Sequence, residues 1–172
     1  MAEGQSLGHG LYHPSVAGGE ELRSLWRRFP TGIAVVTVDL EGERLGLTVG
    51  SLVSLSLEPP LVGFAVNRTA ALHELLRRAG RFVANLLAAD QGDLAQHFAR
   101  GVPPIAIWQG ISVRDADGAP KLEGALGWIE CRLAGEHAAG DHTFFVGEVL
   151  EVEHGPPDTR PLLRVDQSYR AL

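Results

Sequence analysis

One cysteine, Cys131, is all the thiol this chain of 172 residues carries. A single thiol excludes an intrachain disulfide and any cysteine-built zinc cluster. Long apolar runs are missing as well, and none approaches the roughly 20 residues that span a bilayer as a helix. Fifteen Lys and Arg against 21 Asp and Glu leave a formal charge of −6. The basic residues are scattered rather than blocked, so there is no nucleic-acid footprint. The opening MAEGQSLGHGLYHPSVAGG lacks the basic start and apolar centre of a signal peptide and reads as a flexible lead-in over residues 1–19. No G-x-G-x-x-G follows a strand pattern, which removes a Rossmann dinucleotide site. His9, His13, His73, His97, His137 and His154 lack metal-ligand spacing and read as solvated or structural, so no metal is expected. These absences point to a cytoplasmic protein with no membrane or nucleic-acid partner.

What remains suits one domain over residues 20–172, long enough to bury a sizeable core. Glu20–Phe29 reads as a helix, with Leu22, Leu25, Trp26 and Phe29 at helical spacing and Pro30 as its stop. The β-branched run Gly32–Leu40 reads as a strand, and Leu45–Leu57 and Leu61–Val66 as a strand pair turned at Pro59-Pro60. A second helix runs from Thr69, its cap, to Ala79, with Leu72, Leu75, Leu76 and Ala79 as its buried stripe and Gly80 as its stop. Arg81–Leu87 is another strand. Asp90 caps a third helix, which turns Leu94, Ala95 and Phe98 inward. An irregular loop, Gly101–Gly110, carries Trp108 as an anchor, and Asp117-Gly118 marks a turn. The long strands Ala125–Glu136 and His142–Glu153 follow, then a last strand within Pro161–Leu172. Six or more strands with hairpin-length connections and inserted helices argue for a Greek-key barrel rather than a parallel α/β sheet.

The stretch Leu47–Val66, LTVGSLVSLSLEPPLVGFAV, is short-chained and hydroxyl-rich between apolar strands. Such a segment can bring its backbone close to a flat ligand, and it also suits a tight hairpin with no ligand. Further landmarks stand in order around it: Arg28-Phe-Pro-Thr-Gly32 with Ile33–Thr37, Gly80-Arg-Phe-Val-Ala-Asn-Leu-Leu87, Ala89-Asp-Gln91, Leu126–Cys131, and Gly140-Asp-His-Thr-Phe-Phe-Val-Gly-Glu148. In this order they resemble the short-chain flavin reductase family from about Leu22 to the C-terminus.

The resemblance implies a split β-barrel homodimer that binds FMN or FAD without a covalent link. It also implies that the protein reduces flavin with NADH or NADPH and supplies it to a partner monooxygenase. Thr48, Val49, Gly50, Ser51, Ser54, Leu55 and Ser56 would meet the flavin ring and ribityl chain. Asn67, Arg68 and Thr69 would meet its phosphate, and Phe82 and Val83 would line its slot. His142 of the G-D-H triplet, with Thr31, Gly32 and Tyr169, would position the nicotinamide. No catalytic acid or base is assigned, because hydride transfer between the two cofactors needs none at the carbon. Asn85 reads as an orienter of backbone, and Cys131 as a core residue. The chain departs from the family pattern at Gly50, where Asn is common, and at Ala70-Ala71-Leu72, where hydroxyl residues are usual. A flavin-binding carrier or sensor without turnover, and a cofactor-free structural subunit, are the competing readings.

Overall fold

The computed structural model describes residues 17–100, 106–114 and 118–172. Most of the lead-in, Asp117, and the start of the Gly101–Gly110 loop lie outside the described residues. The elements are α1 (Gly19–Trp26), β1 (Thr31–Gly32), β2 (Ala34–Leu40), β3 (Glu43–Val49), β4 (Val53–Leu57), β5 (Pro60–Asn67), α2 (Ala71–Ala79), β6 (Arg81–Leu86) and α3 (Gly92–Ala99). They continue with β7 (Val113–Arg114), β8 (Lys121–Leu122), β9 (Gly127–Ala139), β10 (His142–His154), β11 (Leu162–Val165) and β12 (Ser168–Ala171).

Seven strands form one antiparallel sheet in the order β3-β2-β6-β9-β10-β5-β4. Its two edges, β3 and β4, are consecutive in the chain and joined only by residues 50–52. Flat, a sheet of this many strands would hold its edges about 29 Å apart, at roughly 4.8 Å per gap. The link from Val49 to Val53 spans at most about 14 Å. The sheet is therefore curled until its edges nearly meet, a barrel split between β3 and β4. Ser51 sits in the split. Its hydroxyl accepts the Ala65 amide at 3.0 Å and donates to the Ala65 carbonyl at 3.4 Å. It thus occupies the edge of β5 just beyond the ladder that β4 makes from Val53 onward.

Two cores follow from β2, whose apolar residues are buried on both faces. Ala34, Val36 and Val38 join the barrel interior with Phe64, Phe82 and Phe145, and α2 adds Leu72, Leu75 and Leu76. Val35 faces the second core, which α3 closes with Ala95 and Phe98. A buried polar knot ties the layers. The Asn85 amide nitrogen donates to the Val35 carbonyl at 2.9 Å, and its oxygen accepts the Leu122 amide at 2.7 Å. Asn85 therefore does orient neighbouring backbone. Trp108 donates its Nε1–H to the Arg44 carbonyl at 2.8 Å and packs against Phe98, the anchoring expected of it.

Several local expectations are corrected. Thr69 does not cap α2: the cap position is Ala70, with no side-chain bond, and the Thr69 hydroxyl goes to Asn67 Oδ1 at 2.7 Å. Asp90 does not cap α3, whose cap position is Gln91. Leu45–Leu57 is two strands, broken at residues 50–52. The tail is a hairpin, because Asp166 and Gln167 take positive φ (48° and 63°) and reverse the chain without a glycine. This hairpin pairs with β1 to make a small sheet, β1-β11-β12. The stop at Gly80 stands: its φ of 64° is left-handed, and its amide bonds the Leu76 carbonyl. Among the described residues no helix is long and apolar enough to cross a membrane.

Candidate functional site

Along β5 and β10, alternate residues face the barrel interior and the outside. Phe64, Val66 and Phe145 are buried inward, which places Ala65, Asn67, His142 and Phe144 on the outer face. His142 stands between Asn67 of β5 and Ala139 of β9 in the ladder. A cleft of about 880 Å³ opens over this face. Its floor is Ala65, Ala139, His142 and Thr31, and α1 and the β11–β12 turn form its opposite wall.

The split brings the hydroxyl-rich loop to the same place. Through Ser51, residues 50–52 are tied to Ala65, a floor residue of the cleft. Gly50 lies against Thr31, since a Cβ built on Gly50 would stand 3.1 Å from the Thr31 hydroxyl. Glycine thus keeps the backbone close to Thr31 where a side chain would press on it. The other hydroxyls of the stretch are partly engaged. Thr48 donates to the Ala95 carbonyl of α3 at 2.7 Å, and Ser56 accepts the Glu58 amide at 3.2 Å in the β4–β5 turn. On β4, Ser54 and Leu55 are exposed, whereas Val49 at the end of β3 is buried.

Arg68 grips the turn that precedes His142. Its amide donates to the Asp141 carbonyl at 3.1 Å, and its guanidinium donates to the Gly140 carbonyl. Asn67 Oδ1 accepts both the amide and the hydroxyl of Thr69. With no side-chain cap on α2, the first amides of that helix are not covered by a neighbouring hydroxyl. Free amides at a helix start can hold an anion, whereas the Arg68 guanidinium is turned to the Gly140 carbonyl.

His142 is half exposed, and its Nδ1 lies 2.7 Å from the Asp141 carboxylate. Hydrogen bonding to His142, then its charge, holds the Asp141 carboxyl below its ordinary value, and the Arg68 charge acts in the same direction. The next residue, Thr143, turns inward, where its hydroxyl meets His73 Nε2 at 2.8 Å. His73 therefore ties α2 to the start of β10.

Other expected site residues lie apart from the cleft. Phe82 and Val83 are both buried on opposite faces of β6, Phe82 in the barrel interior and Val83 beside Ala125 and Trp128. Their side chains are consumed by packing and are not offered to a ligand. Tyr169 shares a row with Arg164 and Thr31 across the small sheet, but it is half-buried and packs on the second core. Cys131 is buried, and desolvation pushes its thiol up to about 12, which suits a core residue. Among the described residues no group of three or more His, Cys, Asp or Glu is placed to hold a metal ion.

With this geometry in place, residues 26–172 match the profile of the flavin reductase like domain. The chain belongs to the flavin reductase-like family. It is 37% identical over 155 residues to an NADH-dependent FMN reductase of Agrobacterium fabrum, covering 85% of this chain and 84% of the relative. It is 38% identical over 153 residues to the reductase component of a 4-hydroxyphenylacetate 3-monooxygenase of Thermus thermophilus, covering 89% and 96%. Its fold superposes on the NADH:FAD oxidoreductase of Streptomyces globisporus with a TM-score of 0.85 at 33% identity, covering 91% of this chain and 96% of the other. The family's split barrel is thus the fold of this chain. What sequence reasoning missed is the far wall of the cleft, formed by Leu22, Trp26 and Phe29 of the α1 region and by Arg164 and Gln167 of the terminal hairpin. The helical spacing of the first three was legible, whereas their facing a cleft instead of the core was not.

Proposed function

We propose that this chain is an NAD(P)H:flavin oxidoreductase that reduces FMN, with FAD as the second candidate. One observation carries the reading: the Gly50–Ser51 loop and the Asn67–Thr69 segment, far apart in sequence, each abut residues that line one open cleft, Ser51 at Ala65, Gly50 at Thr31 and Asn67 at His142. The residues present fit a flavin. Gly50 leaves a cradle that a Cβ would fill, and the α2 amides with Arg68 suit a phosphate without the hydroxyls this family commonly has there. Bound flavin supplies the hydride-accepting ring. The chain's own work is orientation: Gly50, Ser51 and Ser54 along the ring and ribityl chain, Arg68 at the phosphate, and His142 with Thr31 and Gly32 at the nicotinamide.

A homodimer belongs to the same proposal. Val53, Leu55 and Leu57 on the edge strand β4, and Leu150 and Val152 on β10, are exposed apolar side chains that an isologous contact would cover. Relatives named as reductase components support a flavin-dependent monooxygenase as the recipient of reduced flavin. A cytoplasmic location completes the proposal. A carrier that binds flavin without turnover is the second reading, kept open by the departures at Gly50 and Ala70-Ala71-Leu72. Oxidation of NADH and of NADPH, each measured with FMN and with FAD, tests the proposal. Rapid oxidation with one pair is the expected result. Flavin binding with no oxidation in any pair would establish the carrier instead.

A further inference from the structure

His142 is held from both sides along the chain, and both holds come from the segment that leads into α2. Upstream, Arg68 grips the carbonyls of Gly140 and Asp141. Downstream, His73 of α2 meets Thr143, Nε2 to Oγ1, at 2.8 Å. Thr143 is only 7% exposed, so its hydroxyl depends on a protein partner rather than on water. The same imidazole lies edge-on to Phe145, with centroids 5.3 Å apart and planes at 61°. His73 thus touches two successive inward side chains of β10. Side chains alternate along a strand, so what fixes Thr143 and Phe145 inward also fixes His142 outward, onto the floor of the cleft. The seat of α2 does not depend on this contact. Leu72, Leu75 and Leu76 are buried in the barrel core, and Arg77 donates twice to the Glu136 carboxylate of β9, at 2.8 and 3.0 Å. What His73 adds is direction at the start of β10.

We propose that His73 is a positioning residue for the reduction step: through Thr143 it sets the direction in which His142 enters the cleft. The proposal rests on the reductase reading, in which His142 meets the nicotinamide. His73 does not itself line the cleft, so its effect passes entirely through β10. Such an indirect role matters because a displacement of about 1 Å between reacting groups costs on the order of a hundredfold in rate.

The test uses the full chain with flavin bound. His73→Phe keeps a ring against Phe145 and removes the nitrogen that meets Thr143. It lowers kcat/KM for NADH by about tenfold and leaves flavin affinity unchanged. His73→Gln, whose amide can again reach the Thr143 hydroxyl, restores most of the loss. In a His142→Ala background His73→Phe has no further effect, because residues that act as a unit are not additive. Should thermal melts show that His73→Phe does not fold, Thr143→Val breaks the same bond from the other side, with the same loss expected. A merely structural role gives a different pattern: flavin affinity and kcat/KM fall together, Gln rescues nothing, or the loss adds in full to that of His142→Ala. Any of these overturns the proposal, as does an unchanged kcat/KM. Should the wild type oxidise neither NADH nor NADPH with any flavin, the reductase reading fails, and NMR decides the positioning alone. The His142 ring resonances then move in His73→Phe and return in His73→Gln, whereas unmoved resonances overturn it.

Discussion

The Asp141 carboxylate holds Nδ1 of His142 at 2.7 Å, so the imidazole is anchored on one nitrogen and presents Nε2 elsewhere. A histidine fixed by a carboxylate has a defined tautomer and orientation, which an exposed imidazole otherwise lacks. Arg68 fixes the same turn from the other side through the carbonyls of Gly140 and Asp141.

His142→Ala raises the KM for NADH and leaves flavin affinity intact, which steady-state kinetics and a flavin titration check together. Loss of uniform binding appears in KM alone, whereas misaligned hydride transfer also lowers kcat. Asp141→Asn acts in the same direction with a smaller change. Because the Asp141 carboxyl is held below its ordinary range, its contribution is present above the ordinary carboxylate value and is lost as pH falls through the lowered one. The difference between wild type and Asp141→Asn therefore closes only in acid.

Arg68→Ala weakens flavin binding by about tenfold or more if the guanidinium meets the phosphate. A rise in the KM for NADH with flavin affinity unchanged would confine Arg68 to holding the Gly140–His142 turn.

Asn85→Ala leaves the Leu122 amide and the Val35 carbonyl short of a partner inside the protein. Unsatisfied buried groups cost about 1–3 kcal/mol each, so the two together cost roughly 2–6 kcal/mol. Denaturant unfolding measures it, and a change below about 1 kcal/mol would mean that water replaces the side chain.

Gly147 makes room for a core ring. A Cβ there would come within 2.8 Å of Phe82 Cε1 and 3.0 Å of Cys131 Cβ. Gly147→Ala costs about 1–3 kcal/mol by overpacking. Adding Phe82→Leu restores part of it, and a double-mutant cycle that shows plain additivity would rule out the contact.

The Cys131 thiol, pushed up to about 12 by burial, stays protonated at pH 8. A thiolate-directed reagent therefore labels it only as fast as the barrel unfolds. The neutral thiol's contribution to stability is full below the ordinary thiol range and is lost as pH rises toward 12. Rapid labelling of the native protein would contradict the burial.

The repeating patterns were the legible part of the fold. The α2 stripe of Leu72, Leu75 and Leu76 and its stop at Gly80 are local, and both are found. The G-D-H triplet led to His142 because it is contiguous. Thr69 was misread because Asn67, two residues away, outcompetes the helix for its hydroxyl. The tail hairpin was missed because Asp166 and Gln167 supply a reversal that is commonly left to glycine. The helix before Pro30 gave its spacing but not its surroundings. Which face α1 shows to the cleft depends on β11, more than 130 residues further along the chain. Phe82 and Val83 alternate across β6, and only the closed barrel reveals that both faces of that strand are covered.

Residues 50–52 close the cylinder and also border the cleft. Lengthening this clasp by even a residue or two would slacken the seam and the mouth of the cleft together. The segment is therefore a poor place for insertions.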